Sequence, residues 1–264
     1  VDWNKTKTIF IIVFLVLDVF LLSQLIKKNT ASKAPLKRDA SIEEQLKAAG
    51  IHYEPIQDDK EKNKQYLLYA KTKNFTEEEV SKLENQDVKI EGKTKLRATL
   101  DKPFKLGAQF EPDVLDTFVK SNILNGAKYH FWRYDKDLKQ ITYSQQYKDN
   151  QIFENVNGQL TLYLDDDNEV IGYEQTMLDS IDEYNKEQII TGFQAIITLF
   201  NKGMIKPDSN IKKPELGYYT LVQNAESQVL TPTWHLIVEN GDKKENMFVN
   251  AFEGSVITTE KKLE

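Results

Sequence analysis

Residues 159–176 read QLTLYLDDDNEVIGYEQT. Leu160, Leu162 and Leu164 alternate with polar positions, the period of a strand buried on one face. The run Asp165-Asp166-Asp167-Asn168 then breaks the pattern with residue types whose short side chains bond nearby backbone and favour a turn. Alternation resumes over 169–177, and Asn157-Gly158 supplies a turn at the other end. Working upstream, strands are expected at 128–134 and 139–147. A helix opens before them at Pro112, presents Val114, Leu115, Phe118 and Val119 on one face, and closes at Gly126. Downstream, a helix is expected from Lys186 to Asn201. Its Ile189, Ile190, Phe193, Ile196, Ile197 and Phe200 make one broad apolar stripe fit to cover a sheet. After Gly203, strands are expected at 216–222, 229–239, 245–251 and 255–260. A helix followed by strands thus occurs twice, which fits either an internal duplication or two ordinary hairpins. The fold class this predicts is α+β, with antiparallel sheets each covered by helices.

The preceding region is expected to form a smaller α+β domain over residues 40–106, with the second domain at 107–264. Ser41 with Glu44 forms a capping box, Ile42 and Leu46 an apolar stripe, and Gly50 a stop, which gives a short helix at 41–49. Strands follow at about 51–54 and 65–71. Thr76 with Glu79 repeats the capping box, and Val88 to Leu100 alternates around a turn near Gly92.

At the other extreme of polarity, 15 of the 18 positions from Ile9 to Ile26 are apolar. A helix of that length reaches roughly 27 Å, enough to cross a hydrocarbon core. The rival reading, a secretory signal peptide, has a shorter apolar region and an A-x-A-like cleavage pattern, which does not follow Ile26. The expected plan is a cytoplasmic tail at 1–8, a transmembrane helix at 9–26 and a stalk at 27–39. Lys27, Lys28, Lys33, Lys37 and Arg38 outnumber Lys5 and Lys7, which taken alone would hold the long part inside. That rule weakens when a long domain follows the span, so the expectation is a single-pass membrane protein with its N-terminus inside. Asp18 interrupts the span, and a carboxylate at a helix centre costs roughly 2.5–3.5 kcal/mol on insertion scales. Either its apolar neighbours outweigh that cost, or it meets a polar partner on another membrane helix. In the second case Phe14, Leu15, Leu21, Leu22 and Leu25 share its face and form the candidate contact.

Composition narrows the chemistry. The 264 residues carry 35 Lys and Arg against 41 Asp and Glu, a formal net charge of −6, so no basic field exists to attract nucleic acid. The absence of Cys removes disulfides, thiol nucleophiles and Cys-ligated metals. His52, His130 and His235 lie far apart, outside any metal-binding spacing, and read as packed or edge-strand residues. No nucleotide-binding loop or nucleophile elbow occurs, and no catalytic, cofactor or metal residue is assigned. The acidic run 165–169 could offer oxygen ligands to calcium but lacks the Gly and distal Glu of an EF-hand loop, so a turn is favoured. Tyr129, Phe131, Trp132, Tyr134, Tyr218, Tyr219 and Trp234 supply aromatic strands, some of which would suit a protein interface. Two readings remain: a membrane-tethered interaction protein, or an exported hydrolase acting on cell-wall material through an unrecognised carboxylate site.

The opening DWNKTKTIFIIVFLVLDVFLL (2–22) resembles the start of the YycI family, membrane-anchored regulators encoded with the WalK/WalR (YycG/YycF) two-component system of low-GC Gram-positive bacteria. The segment TPTWHLIVENGDKKENMFVNAFEGSVI (231–257), with Pro232, Trp234, Asn240-Gly241 and Gly254, is similar to that family's C-terminal strands and to PepSY-type modules. The resemblance implies an extracytoplasmic α+β region like the C-terminal domains of the sister protein YycH. It also implies a complex with YycH and the WalK/YycG sensor histidine kinase, in which contacts between membrane helices modulate the kinase and so cell-wall metabolism. It carries over no catalytic residue.

Overall fold

A computed structural model describes Trp3, Lys7, Phe14, Leu15, Leu17, Asp18, residues 20–22, 41–56, 63–107, 110, 112–223 and 226–258. The chain divides into two compact units, Val1–Ala48 and Ala49–Glu264. In the first, helix α1 (Ile42–Ala48) carries the expected capping box. The Ser41 N–H donates to the Glu44 carboxylate at 2.8 Å, and Ser41 Oγ accepts from the Glu44 N–H at 3.2 Å.

The second unit is mostly sheet. Strands β3 (Gln86–Glu91), β4 (Lys95–Lys105), β5 (Tyr129–Asp135), β6 (Gln140–Tyr147), β8 (Gln159–Leu164) and β9 (Glu169–Thr176) pair antiparallel in the order β3-β4-β9-β8-β6-β5. The 165–168 turn of the deciding hairpin is held by Asp165 Oδ1, which accepts from the N–H groups of Asp167 and Glu169 at 3.0 and 2.9 Å. Helix α3 (Pro112–Asn122) buries Leu115, Phe118 and Val119, and these pack in one cluster with Ile141, Tyr143, Leu160, Leu162 and Tyr173 of the sheet. Each such large side chain contributes roughly 1.5–3 kcal/mol by leaving water. Between β3 and the preceding chain lies a single helical turn, α2 (Glu77–Val80), with the Thr76/Glu79 capping box formed.

The remaining strands gather on β13 (Ser227–Asn240). One edge takes β11 (Asn210–Ile211) and β12 (Glu215–Tyr219); β14 (Lys243–Asn250) pairs with residues 233–240 and in turn with β15 (Val256–Ile257). The start of β13 pairs with β2 (Lys64–Thr72), and β2 with β10 (Leu178–Gln188). Helix α4 (Gly192–Asn201) lies against β13 and buries Ala195, Ile196 and Leu199. In chain order β5-β6-β8-β9 and β12-β13-β14-β15 are both four-stranded meanders that follow a helix.

Two features differ from the expected pattern. Pairing is not wholly antiparallel: β1 (His52–Tyr53) runs parallel to β11, and β7 (Asn150–Ile152) parallel to β12. The expected helix from Lys186 starts only at Gly192, where a Thr191/Gln194 capping box opens it. The stretch before it is strand β10, and Ile189 and Ile190 donate backbone N–H groups to the carbonyls of Asn63 and Ala251, both at 2.8 Å. Their place in the apolar stripe therefore reflects burial beside a sheet rather than a helical face.

The β7–β12 pairing is close. A Cβ on Gly217 would sit 2.3 Å from the Gln151 carbonyl oxygen and 2.4 Å from the Phe153 ring, so Gly217→Ala must displace backbone. It should destabilise the second unit by about 1–3 kcal/mol, read as a lower urea midpoint with an unchanged slope.

A second prediction concerns Glu174 on β9. Burial opposes its ionisation, but Lys95 at 3.2 Å and Arg97 outweigh this and hold its carboxyl below the ordinary 4.5. The resulting stability is present above about pH 4.5 and lost as the pH falls through the lowered value. Because both cations are more than a third exposed, the effect is about 1 kcal/mol or less. Glu174→Gln should be less stable than the parent at pH 7, and the gap in urea midpoint should narrow as the pH falls below 4.5 and through the lowered value.

Candidate functional site

Where β7 meets β12, a cleft of about 580 Å³ opens between the two meanders. Its walls come from the start of β2, the β6–β7 turn, the residues leading into α4, and β12 with its approach. Three local features shape it. Lys148 adopts a left-handed φ of 54°, which turns the chain sharply into β7. Pro214 falls between β11 and β12, where residues 212–214 face only 236–237 of β13. A proline, having no N–H, is tolerated at such a bulge, and it places Lys213 and Glu215 at the cleft. Thr191, the N-cap of α4, reaches the cleft with Gly192, where an added Cβ would sit 3.2 Å from Pro214.

Gln151, at the centre of β7, is only 9% exposed, and its Nε2 has no hydrogen-bond partner. Behind Glu215 lies His235, 2% exposed, with ring centroids of Trp132, Phe153 and Phe248 at 4.9, 5.1 and 5.1 Å. His235 Nε2 is 2.9 Å from Asn246 Oδ1, and Nδ1 lies 3.7 Å from Glu215 Oε2. His235 holds the Glu215 carboxyl below its ordinary range, with His130 and Lys213 adding to the effect against partial burial. Glu154, just past β7, moves the other way: burial pushes its carboxyl up, with Arg133 and His235 opposing. The cleft thus presents an ionised carboxylate backed by a buried imidazole, an exposed cation at Lys213, the exposed His130 ring, and a set of uncharged amides. This is an arrangement for binding polar groups. A glycosidase acid requires a raised pKa, whereas Glu215 shifts downward. A larger groove, about 680 Å³, lies between α3 and the β3–β4 hairpin, where β4 departs from β9 between Thr99 and Phe104. Its walls come from the first meander's sheet and helix alone, so it does not sample the junction.

The structure places the residues singled out in the sequence as follows. His52 and His130 lie on strands β1 and β5 and His235 in the core of β13, and among the described residues no group of three or more His, Asp or Glu could hold a metal. Tyr129 and Tyr218 are buried; Phe131, Trp132, Tyr134, Tyr219 and Trp234 are half-buried. Phe14, Leu15, Leu17, Asp18, Phe20, Leu21 and Leu22 are helical and exposed, while Leu25 and the rest of the expected span lie outside the described residues. Among the described residues no helix is long and apolar enough to cross a membrane. Sequence reasoning missed Gln151, Lys213 and Glu215 as neighbours; the one local signal was Pro214, a strand-breaking residue inside an otherwise extended stretch.

Against known proteins, no curated sequence matches. Solved structures with similar chains include an uncharacterized protein from Eubacterium rectale, at 11% identity and a TM-score of 0.47, covering 75% of this chain and 87% of that one. The Bacillus megaterium YpeB C-terminal domain aligns at 12% identity and a TM-score of 0.43, covering 74% and 88%. Neither likeness is strong enough to carry an argument. The family model described as YycI protein, by contrast, matches residues 30–252, which take in the first meander, β12 to β14 of the second, and the cleft between them. On that match the chain belongs to the YycI family, regulators of the WalK/YycG kinase system.

Proposed function

We infer that this protein is a non-enzymatic, membrane-anchored regulator that binds the WalK/YycG sensor kinase together with YycH and modulates its activity, affecting cell-wall metabolism. The observation that carries this reading is the family match over residues 30–252. The apolar run Ile9–Ile26 supports the anchor, with the N-terminus cytoplasmic and the domains beyond residue 40 extracytoplasmic. The boundary near residue 107 and descent of the two meanders from one duplicated unit belong to the same reading. A tether of this kind raises the effective concentration of its helix beside a partner's, so contacts of a few kcal/mol suffice. Regulation further requires that the protein favour one kinase state, since equal affinity for two states shifts neither. The hydrolase reading draws on the carboxylates Asp149 and Glu215 in one cleft; Glu215, held low, lacks the raised pKa that the general acid of such a site needs.

Orientation is checked by protease added to intact protoplasts. The chain beyond about residue 30 should be digested; protection until the membrane is opened would place the domain inside, as the count of flanking Lys and Arg suggests.

The partner contact is expected on the face of Asp18, with Phe14, Leu15, Leu21, Leu22 and Leu25. Hydrogen bonds between membrane helices are worth about 0.6–2 kcal/mol, so Asp18→Leu should weaken association with the kinase or YycH by roughly threefold to thirtyfold. Energy transfer between tagged helices in membranes measures this directly. Unchanged association, with loss on substituting the opposite face, would make Asp18 a passenger.

A further inference from the structure

We propose that the cleft between the two meanders is a binding site for a short peptide with free charged termini. Five side-chain amides line it, those of Asn63, Gln65, Gln146, Asn150 and Gln151. Each offers both a donor and an acceptor, the complement of a peptide group, which offers one of each. The buried Gln151 Nε2 has no partner, and an unsatisfied donor of this kind costs about 1–3 kcal/mol until something accepts from it. Gln151 lines the cleft, so a rotation of its side chain would bring this donor to a ligand carbonyl and relieve that cost.

The charges at the cleft come in both signs. Asp149 and Glu215 can receive an ammonium group, and Lys213 and His130 a carboxylate. Thr191 and Gly192 bring the N-terminal end of α4 to the same wall, which favours a negative group there. Other ligand classes fit less well. Phosphate or a nucleotide would meet two carboxylates. A sugar would want an open aromatic face, whereas Phe153 is fully buried and Trp234 is half-buried with its ring edge beside Gly192. At about 580 Å³ the volume lies within the usual range of small-ligand sites.

The position adds a consequence. The lining belongs to β5–β7 of the first meander and to β12–β13 of the second, so an occupant touches both. This proposal concerns binding by the chain itself and stands whether or not the kinase is the partner.

The test uses the full-length protein in detergent micelles with its three Trp indole nitrogens labelled for NMR. The Trp234 resonance is identified by its loss in Trp234→Phe. The probe is an equimolar pool of free tripeptides carrying neutral, acidic and basic side chains; the comparison probes are the same pool with blocked termini, N-acetylglucosamine oligomers, and inorganic phosphate. The expected result is a saturable shift of the Trp234 signal with free tripeptides, an unmoved Trp3 signal, and affinity lower by about tenfold with blocked termini. Gln151→Leu, close in size, should weaken binding about tenfold, the value of one buried hydrogen bond, with the Trp132 signal retained as evidence of folding. Lys213→Ala, an exposed change, should weaken it without altering the unliganded spectrum. A response to the sugar or to phosphate but not to free tripeptides would overturn the proposal. So would the absence of any saturable shift, or full binding by Gln151→Leu and Lys213→Ala together.

Discussion

The second unit hangs on the contact of β7 with β12. Only Gln151 and Ile152 pair with Gly217 and Tyr218, followed by the Phe153 N–H donating to the Tyr218 carbonyl at 2.8 Å. Yet the two meanders meet through this strip. Backbone approach of this closeness demands a residue without a Cβ at position 217, and it delivers Ile152 and Phe153, both fully buried, into the junction. Ile152 joins Leu68, Leu178, Tyr218 and Leu230, while Phe153 stacks toward Trp132, His235 and Phe248. One short parallel pairing therefore feeds two apolar clusters and also forms the floor of the cleft.

Around that joint, buried amides fix how the chain crosses. Gln145 exchanges two hydrogen bonds of 2.7 Å with the backbone of Leu178, tying β6 to the start of β10. Asn155 donates to Gln228 at 2.7 Å, tying the segment after β7 to β13, and Gln175 reaches the Leu124 carbonyl at 2.6 Å. Each would be costly unpaired, so these bonds penalise alternative strand registers more than they add net stability. Against this background Gln151 Nε2, which has no partner, belongs to a residue that lines the cleft at the junction.

Much of the fold was legible because most strands separate a wet face from a dry one. The 159–164 segment buries every second residue, and Val88 to Leu100 split at Gly92 into β3 and β4 as its alternation implied. Helix α3 began at Pro112 as expected. Strand β10 was illegible for a physical reason: most of LDSIDEYNKEQ is exposed, and register shifts at Asp179/Asp182 and Glu183/Lys186 remove any period of two. The helix start at Gly192 was displaced toward Lys186 because Ile189 and Ile190 extend the apolar stripe, although their backbone bonds run to β2's approach and to Ala251. The cleft was invisible, since its residues come from six separate stretches and share no spacing. His235 could be read as packed, but its alignment with Glu215 depends on the β12–β13 register.

The same β10 bears on how such a domain can meet other proteins. Among the described residues it pairs with β2 on one side only, and a long strand with an open edge invites addition of foreign strands. Here the edge is broken by two irregularities and carries Asp179, Asp182, Glu183, Lys186 and Glu187, the devices that discourage backbone pairing. Strand β3, also paired on one side, alternates Asp87, Lys89 and Glu91 along its length. An edge defended in this way leaves side-chain contact as the means of recognition. Exposed apolar groups occur on the strands, with Tyr184 of β10, Tyr69 of β2 and Val229 of β13 at 65%, 43% and 40%, and also at loop tips, where Val156, Leu221 and Val222 are 45%, 78% and 63% exposed and Gln223 bridges the loops through Val156 N–H and the Glu154 carbonyl. Because loop tips repack at less cost than strands slip register, a regulator built on this frame can adjust its contacts while its sheets, and the junction between them, keep one arrangement.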